Sequence, residues 1–198
     1  TDHDFYTVGA LIITISSQDY ITVKNLTLRN AGSDTIAVAN ADNVIIDGVD
    51  IKWGTGRGVG ICEDSDNGQI INCTIEYVNN GVNMISIVNE NNNDGWLIAN
   101  NTIRNIDQEF YYGHGDSHGI GTNGTNGSLF EHNHIHNIGG TGITFYAFSG
   151  QTMNNNIVRY NYVHDVKDTG GGGRIERGIE YGHHNAGHDP YDLSLIHI

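Results

Sequence analysis

Basic residues are scarce in this chain: nine Lys and Arg stand against 23 Asp and Glu, for a formal net charge of −14. A nucleic-acid partner needs a basic surface to displace phosphate counterions, so that class is excluded. Docking on an anionic membrane is excluded on the same ground. No apolar run approaches the roughly 20 residues of a helical membrane span. Cysteine is limited to Cys62 and Cys73. Two are too few for a disulfide framework, neither lies in a CxxC pattern, and both read as ordinary small residues. The chain starts at Thr1 with neither an initiator Met nor a signal peptide, which suggests a fragment of a longer protein.

What is abundant is glycine, with 27 residues against a single proline, together with much Asn, Ile and Val. That mixture favours turns and strands over helices. A length of 198 residues allows one sizeable core and argues against two.

The chain repeats itself. Segments "VKNLTLRN", "IDGVDIKW", "INCTIEYV", "ANNTIRNI", "EHNHIHNI" and "RYNYVHDV" align on Leu28, Ile51, Ile75, Ile103, Ile135 and Val163. Five residues earlier runs a second apolar column: Val23, Ile46, Ile70, Ile98, Phe130 and Val158. A third follows at Ile36, Val59, Val82, Ile120, Ile143 and Ile179. Period-two spacing within such short segments predicts strands with these columns facing inward. Three short strands in a 23-residue turn, as between Ile36, Val59 and Val82, describe a solenoid.

Between the first two columns lie Cys73, Asn101, Asn133 and Asn161. An Asn at a tight turn tolerates αL geometry, and its amide can bond the same amide in the next coil. With this column the chain resembles right-handed parallel β-helix proteins of the pectin-lyase-like kind, over about residues 10–185. The expected fold is all-β, a parallel β-helix with three short strands per coil. Residues 1–185 would form one domain and 186–198 a tail outside the repeat, either a cap or a non-native junction. Five N-X-S/T sequons occur, and the three inside the repeat turn are expected to be structural rather than glycosylated.

Insertions in a solenoid build on one face. From anchor column to third column the usual gap is seven or eight residues, but it is 17 from Ile103 to Ile120 and 16 from Val163 to Ile179. The loops "DQEFYYGHGDSH" and "KDTGGGGRIER" therefore leave from one corner, two coils apart, with bases roughly 10 Å from each other. One wall would carry Tyr112, His114, Asp116 and His118. The other would carry Arg174, Glu176 and Arg177, continuing into Glu180, His183 and His184. Outward-facing Thr144 and Tyr146, from the coil between, would form the floor. The resemblance implies a substrate groove on this same face.

In an extended segment, "HGDSH" points two imidazoles and a carboxylate one way. That suits a carboxylate-oriented base, or a divalent metal such as calcium held by His114, Asp116 and His118; the bland alternative is polar decoration of a loop. No cofactor is required by the proton-transfer chemistry. Arg174 and Arg177 suit the carboxylate of a uronic-acid sugar, or simply pair with Glu176 and Glu180. A further polar face, past the anchor column, carries Arg104, His134, His136, Tyr162 and His164.

The first expectation is a secreted or cell-surface enzyme acting on an acidic polysaccharide by lyase or epimerase chemistry. His118 or His114 would be the base, Arg174 or Arg177 the charge neutraliser, and Tyr112 or Tyr146 the acid. A glycoside hydrolase pairing Asp116 with Glu176 or Glu180 is the second. A non-catalytic glycan-binding or fibre β-helix is the third. The paired-aspartate signatures of polygalacturonases and the arginine motif of pectate lyases are absent from the sequence.

Overall fold

The computed structural model describes residues 11–85, 93–107, 117–147, 151–167, 177–183 and 194–195. After β1 (Ile13–Ser16), the described strands form six coils of three. These are β2 (Thr22–Lys24), β3 (Thr27–Arg29) and β4 (Ile36–Ala39); then β5 (Ile45–Asp47), β6 (Asp50–Lys52) and β7 (Arg57–Cys62). Next come β8 (Gln69–Ile71), β9 (Thr74–Glu76) and β10 (Asn80–Ile85), followed by β11 (Leu97–Ala99), β12 (Thr102–Ile106) and β13 (His118–Asn123). The last two coils hold β14 (Leu129–Glu131), β15 (His134–Ile138) and β16 (Thr141–Ala147), and β17 (Ile157–Arg159), β18 (Tyr162–Val166) and β19 (Arg177–His183). A short β20 (Ser194–Leu195) follows and pairs with β17, Leu195 opposite Val158.

Like strands of successive coils pair in parallel, giving three sheets. Sheet I runs β1-β4-β7-β10-β13-β16-β19, sheet II β2-β5-β8-β11-β14-β17-β20, and sheet III β3-β6-β9-β12-β15-β18. The register reproduces the three sequence columns. Ile51 pairs with Leu28 and Ile75, Ile70 with Ile46 and Ile98, and Ile120 with Val82 and Ile143. In the three-residue strands only the middle side chain points inward, and Ile46, Ile51 and Ile70 are fully buried.

The asparagine ladder is present. Asn101 Nδ2 donates to Asn133 Oδ1 (3.0 Å), and Asn133 Nδ2 donates to Asn161 Oδ1 (2.9 Å). The same oxygens accept the backbone N–H of Asn101 and Asn133, while each amide also donates to a carbonyl of the coil before, at Ile70 and Ile98. The expected αL geometry, however, falls one residue earlier, at Asn25, Gly48, Asn72, Asn100, His132 and Tyr160. The αL residue makes the bend, which turns the next side chain inward between coils. Three of these bends are the Asn of the in-repeat sequons: Asn25, Asn72 and Asn100.

A second ladder has no counterpart in the sequence reading. The N–H groups of Asp42, Asp66, Asp94 and Asn126 donate to Oδ1 of Asp19, Asp42, Asp66 and Asp94 at 2.7–2.9 Å. Stacking in register thus lines up four carboxylates. Burial, opposed by the Asp94 N–H and reinforced by the charges of Asp94 and Asp42, pushes Asp66 above the usual carboxylate range.

Two outcomes follow. Asn133→Ala removes the shared acceptor of two Asn101 donors; at about 1–3 kcal/mol for a buried unsatisfied group, thermal melting should drop markedly, and an unchanged Tm would contradict the ladder. Asp66→Asn keeps the acceptor oxygen but removes a charge. Because the folded state raises this pKa, it favours the protonated form, and the wild type loses stability as pH rises through it. The Asn variant should therefore melt higher at pH 7, with the gap closing as pH falls below about 3.9.

Candidate functional site

The outer face of sheet I carries the described part of the expected site. Strands β13 and β19, which follow the two long loops, flank β16. His118 pairs in register with Thr141, and Thr141 with Arg177; Thr144 lies between Gly121 and Glu180. The backbones of His118 and Arg177 are thus two strand spacings apart, roughly 10 Å. Tyr112, His114, Asp116, Arg174, Glu176 and His184 lie outside the described residues. Arg177 and His183 are placed by their strand alone, His183 in register with Ala147.

His118 is fixed from several sides. Its chain enters the sheet through Gly119, where an added Cβ would lie 2.5 Å from Ile135 Cγ2 and 2.6 Å from the Gly142 carbonyl oxygen. Only glycine lets the backbone pass that close to the core and the next coil. The His118 N–H donates to Asn80 Oδ1 (2.8 Å) one coil away. The ring lies against Gly121, where a Cβ would sit 2.9 Å from His118 Cδ2. From there Nδ1 hydrogen-bonds with Thr144 Oγ1 at 3.0 Å. The Tyr146 ring stands 6.4 Å away, tilted by 56°. At the base of the first loop Ser117 Oγ donates to Asp107 Oδ2 at 2.5 Å, pinning its two ends together.

The floor differs from expectation. Thr144 alternates outward between Ile143 and Phe145 but is fully buried, and His118 itself is only 7% exposed. Thr144 therefore positions His118 instead of facing a ligand. Tyr146 is half-buried, and Glu180 Oε2 accepts a bond from Thr141 Oγ1 (3.3 Å). Asn80 and Thr141 were missed by sequence reasoning. Their signal was their place in the His118 column, one residue ahead of the Gly in "NGV" and "TGI". Among the described residues no group of three or more His, Cys, Asp or Glu side chains is placed to hold one metal ion.

The same face continues into earlier coils. Arg57 binds Asp34 through Nη2 (2.6 Å) and Nε (2.9 Å). It lies over Gly60 much as His118 lies over Gly121. On the outer face of sheet III, Lys52, Glu76, Arg104, His136 and His164 stand in one row. Burial pushes Glu76 up, but bonds from Lys52 (2.5 Å) and Arg104 (2.7 Å) hold it below the usual carboxylate range. Burial, then the charges of His134 and His164, push His136 down.

A solenoid of three parallel sheets, with three short strands to each coil, is the architecture of a β-helix protein. The chain belongs to the right-handed β-helix family: the family model described as the right handed beta helix region matches residues 11–188. No curated protein matches it.

The Thr144 contact has a direct test. Thr144→Val is isosteric and removes the partner of Nδ1. The His118 tautomer balance should shift, read by ¹⁵N long-range NMR, at a stability cost of about 0.5–1.5 kcal/mol. An unchanged ring spectrum would show that Thr144 does not hold it.

Proposed function

We propose that the outer face of sheet I is the working face of a secreted, carbohydrate-active enzyme. Its substrate would be an acidic, uronic-acid-containing polysaccharide, altered by lyase- or epimerase-type proton abstraction. The observation that carries this reading is the placement of His118: one imidazole, locked by Thr144 and Gly121, two strand spacings from the start of β19 at Arg177.

In the tautomer whose Nδ1–H donates to Thr144 Oγ1, Nε2 carries the lone pair and would act as general base. It would take the proton from the carbon beside the uronate carboxylate. That proton is made acidic when Arg177 neutralises the carboxylate, a task suited to a planar guanidinium. In the lyase version a double bond forms as the adjacent carbon–oxygen bond breaks, and the Tyr146 phenol protonates the departing oxygen. In the epimerase version a proton returns to the opposite face of the same carbon. His114 and Asp116, which with His118 would hold a divalent ion such as calcium, lie outside the described residues; no step is routed through a metal.

The test separates the classes. The protein is assayed on alginate, pectate and neutral glycans, with unsaturated-product absorbance, reducing ends and epimer content read separately. Unsaturated or epimerised uronate is expected, and His118→Ala should lower kcat/KM by about 10²–10⁴-fold. Full activity in that variant would remove His118 from the chemistry. Reducing ends without unsaturation would instead select a hydrolase, with Glu180 as the described carboxylate. Glycan binding without turnover would leave a binding or fibre protein.

A further inference from the structure

We propose that the rings stacked between β15 and β18, on the outer face of sheet III, form an acid-released clasp. It holds β18 while its imidazoles share protons and lets go when each carries a charge of its own. The clasp lies on a different sheet from His118 and does not depend on the reading above.

Three pairs of rings stack in step between the two coils. His132 lies on Tyr160, His134 on Tyr162 and His136 on His164, with centroids 5.0, 5.2 and 5.0 Å apart and planes within 21°. A diagonal bond ties the columns together, since His134 Nε2 and His164 Nε2 meet at 2.9 Å. His164 Nδ1 meets Asp165 Oδ2 at 2.9 Å, and an ionised carboxylate only accepts, so that nitrogen carries the proton. In neutral His164 the Nε2 atom is therefore the acceptor, and His134 Nε2–H the donor. Among the described strands β18 is the edge of sheet III, paired with β15 alone. Its backbone bonds include Tyr162 N–H to Asn133 O and Lys167 N–H to Ile138 O. A strand held from one side only is where a sheet opens most readily, so the ring contacts matter most here.

Acid works against this arrangement. The bonded pair can share one extra proton, but a second sets N–H against N–H and the bond is lost. His136 lies 4.5 Å from His134 and 5.0 Å from His164, so a charge on it repels both at close range. Arg104, in register with His136 on β12, adds a cation that Glu76 binds on its other side. At the corner, His132 and Arg159 stand over Tyr160, with Arg159 bonded to Glu131. Tyr162 brings a phenol, and Asp165 is the carboxylate that opposes the build-up. Burial, then the charges of His134, His164 and Arg104, push His136 down, with Asp165 pulling the other way. A folded state that lowers an imidazole's pKa binds fewer protons than the unfolded chain. Its stability is therefore lost as pH falls below about 6.5. Earlier in the same row Lys52, Glu76 and Arg104 pair with one another, and no imidazole is present.

Amide hydrogen exchange of the whole chain, read by NMR between about pH 7.5 and 5 and corrected for the intrinsic rate at each pH, tests the clasp. Protection at Tyr162 and Lys167 should fall about tenfold for each unit by which folding lowers a ring's pKa. Thr102 of β12, which donates to the Cys73 carbonyl in the same sheet, should keep its protection. Salt at about 0.5 M should shrink the loss by screening the like charges. His134→Gln and His136→Gln should each shrink it as well, whereas Asp165→Asn, by removing the opposing carboxylate, should enlarge it. Protection in β18 that ignores pH, or that falls together with Thr102, would overturn the clasp. So would a loss that salt does not reduce, or one undiminished in both glutamine variants. The pH and salt arms use the unmodified chain, so a substitution that fails to fold leaves the question decidable.

Discussion

Everything in this molecule hangs on parallel backbone pairing between one coil and the next. A three-residue strand has too little surface to be stable alone. Stacked in register, each becomes part of a sheet six or seven strands wide, and one inward residue per strand is enough to build a continuous core. Register is then unforgiving: a slip of one residue would turn the buried Ile51 outward and replace it by Asp50 or Lys52. Loops between strands escape this constraint, so insertions collect there and the site is assembled on strand ends beside them.

That division explains what the sequence made legible. The columns through Ile51, Ile70 and Ile120 could be counted because burial repeats the same residue type at the same place in every coil. The Asn ladder was legible for the same reason, although its αL bend was misplaced by one residue. The stack of Asp19, Asp42, Asp66 and Asp94 was not, because an acidic residue at a turn looks like ordinary surface polarity until its N–H partner in the next coil is known.

The site shows the limit more sharply. Counting placed His118 and Arg177 at the ends of strands flanking β16, since that follows from register. Counting also made Thr144 a floor residue, because alternation gives direction but not depth. The His118 ring folds over Gly121 onto Thr144, a contact between residues 26 apart that no local pattern announces. The glycine was the clue: a missing side chain on an outer strand is space for something else. Gly60 beneath Arg57 repeats the lesson two coils earlier.

The two side-chain ladders have opposite polarity. In the aspartate stack the later coil donates its N–H to the earlier coil's carboxylate, as Asp66 does to Asp42. In the asparagine stack the earlier coil donates to the later coil's amide oxygen, as Asn101 does to Asn133. The coils that carry both ladders are thus tethered at one corner by an arm reaching forward and at another by an arm reaching back. The two corners therefore add bonds between coils beyond those of the sheets, one set donated toward the start of the chain and the other toward its end.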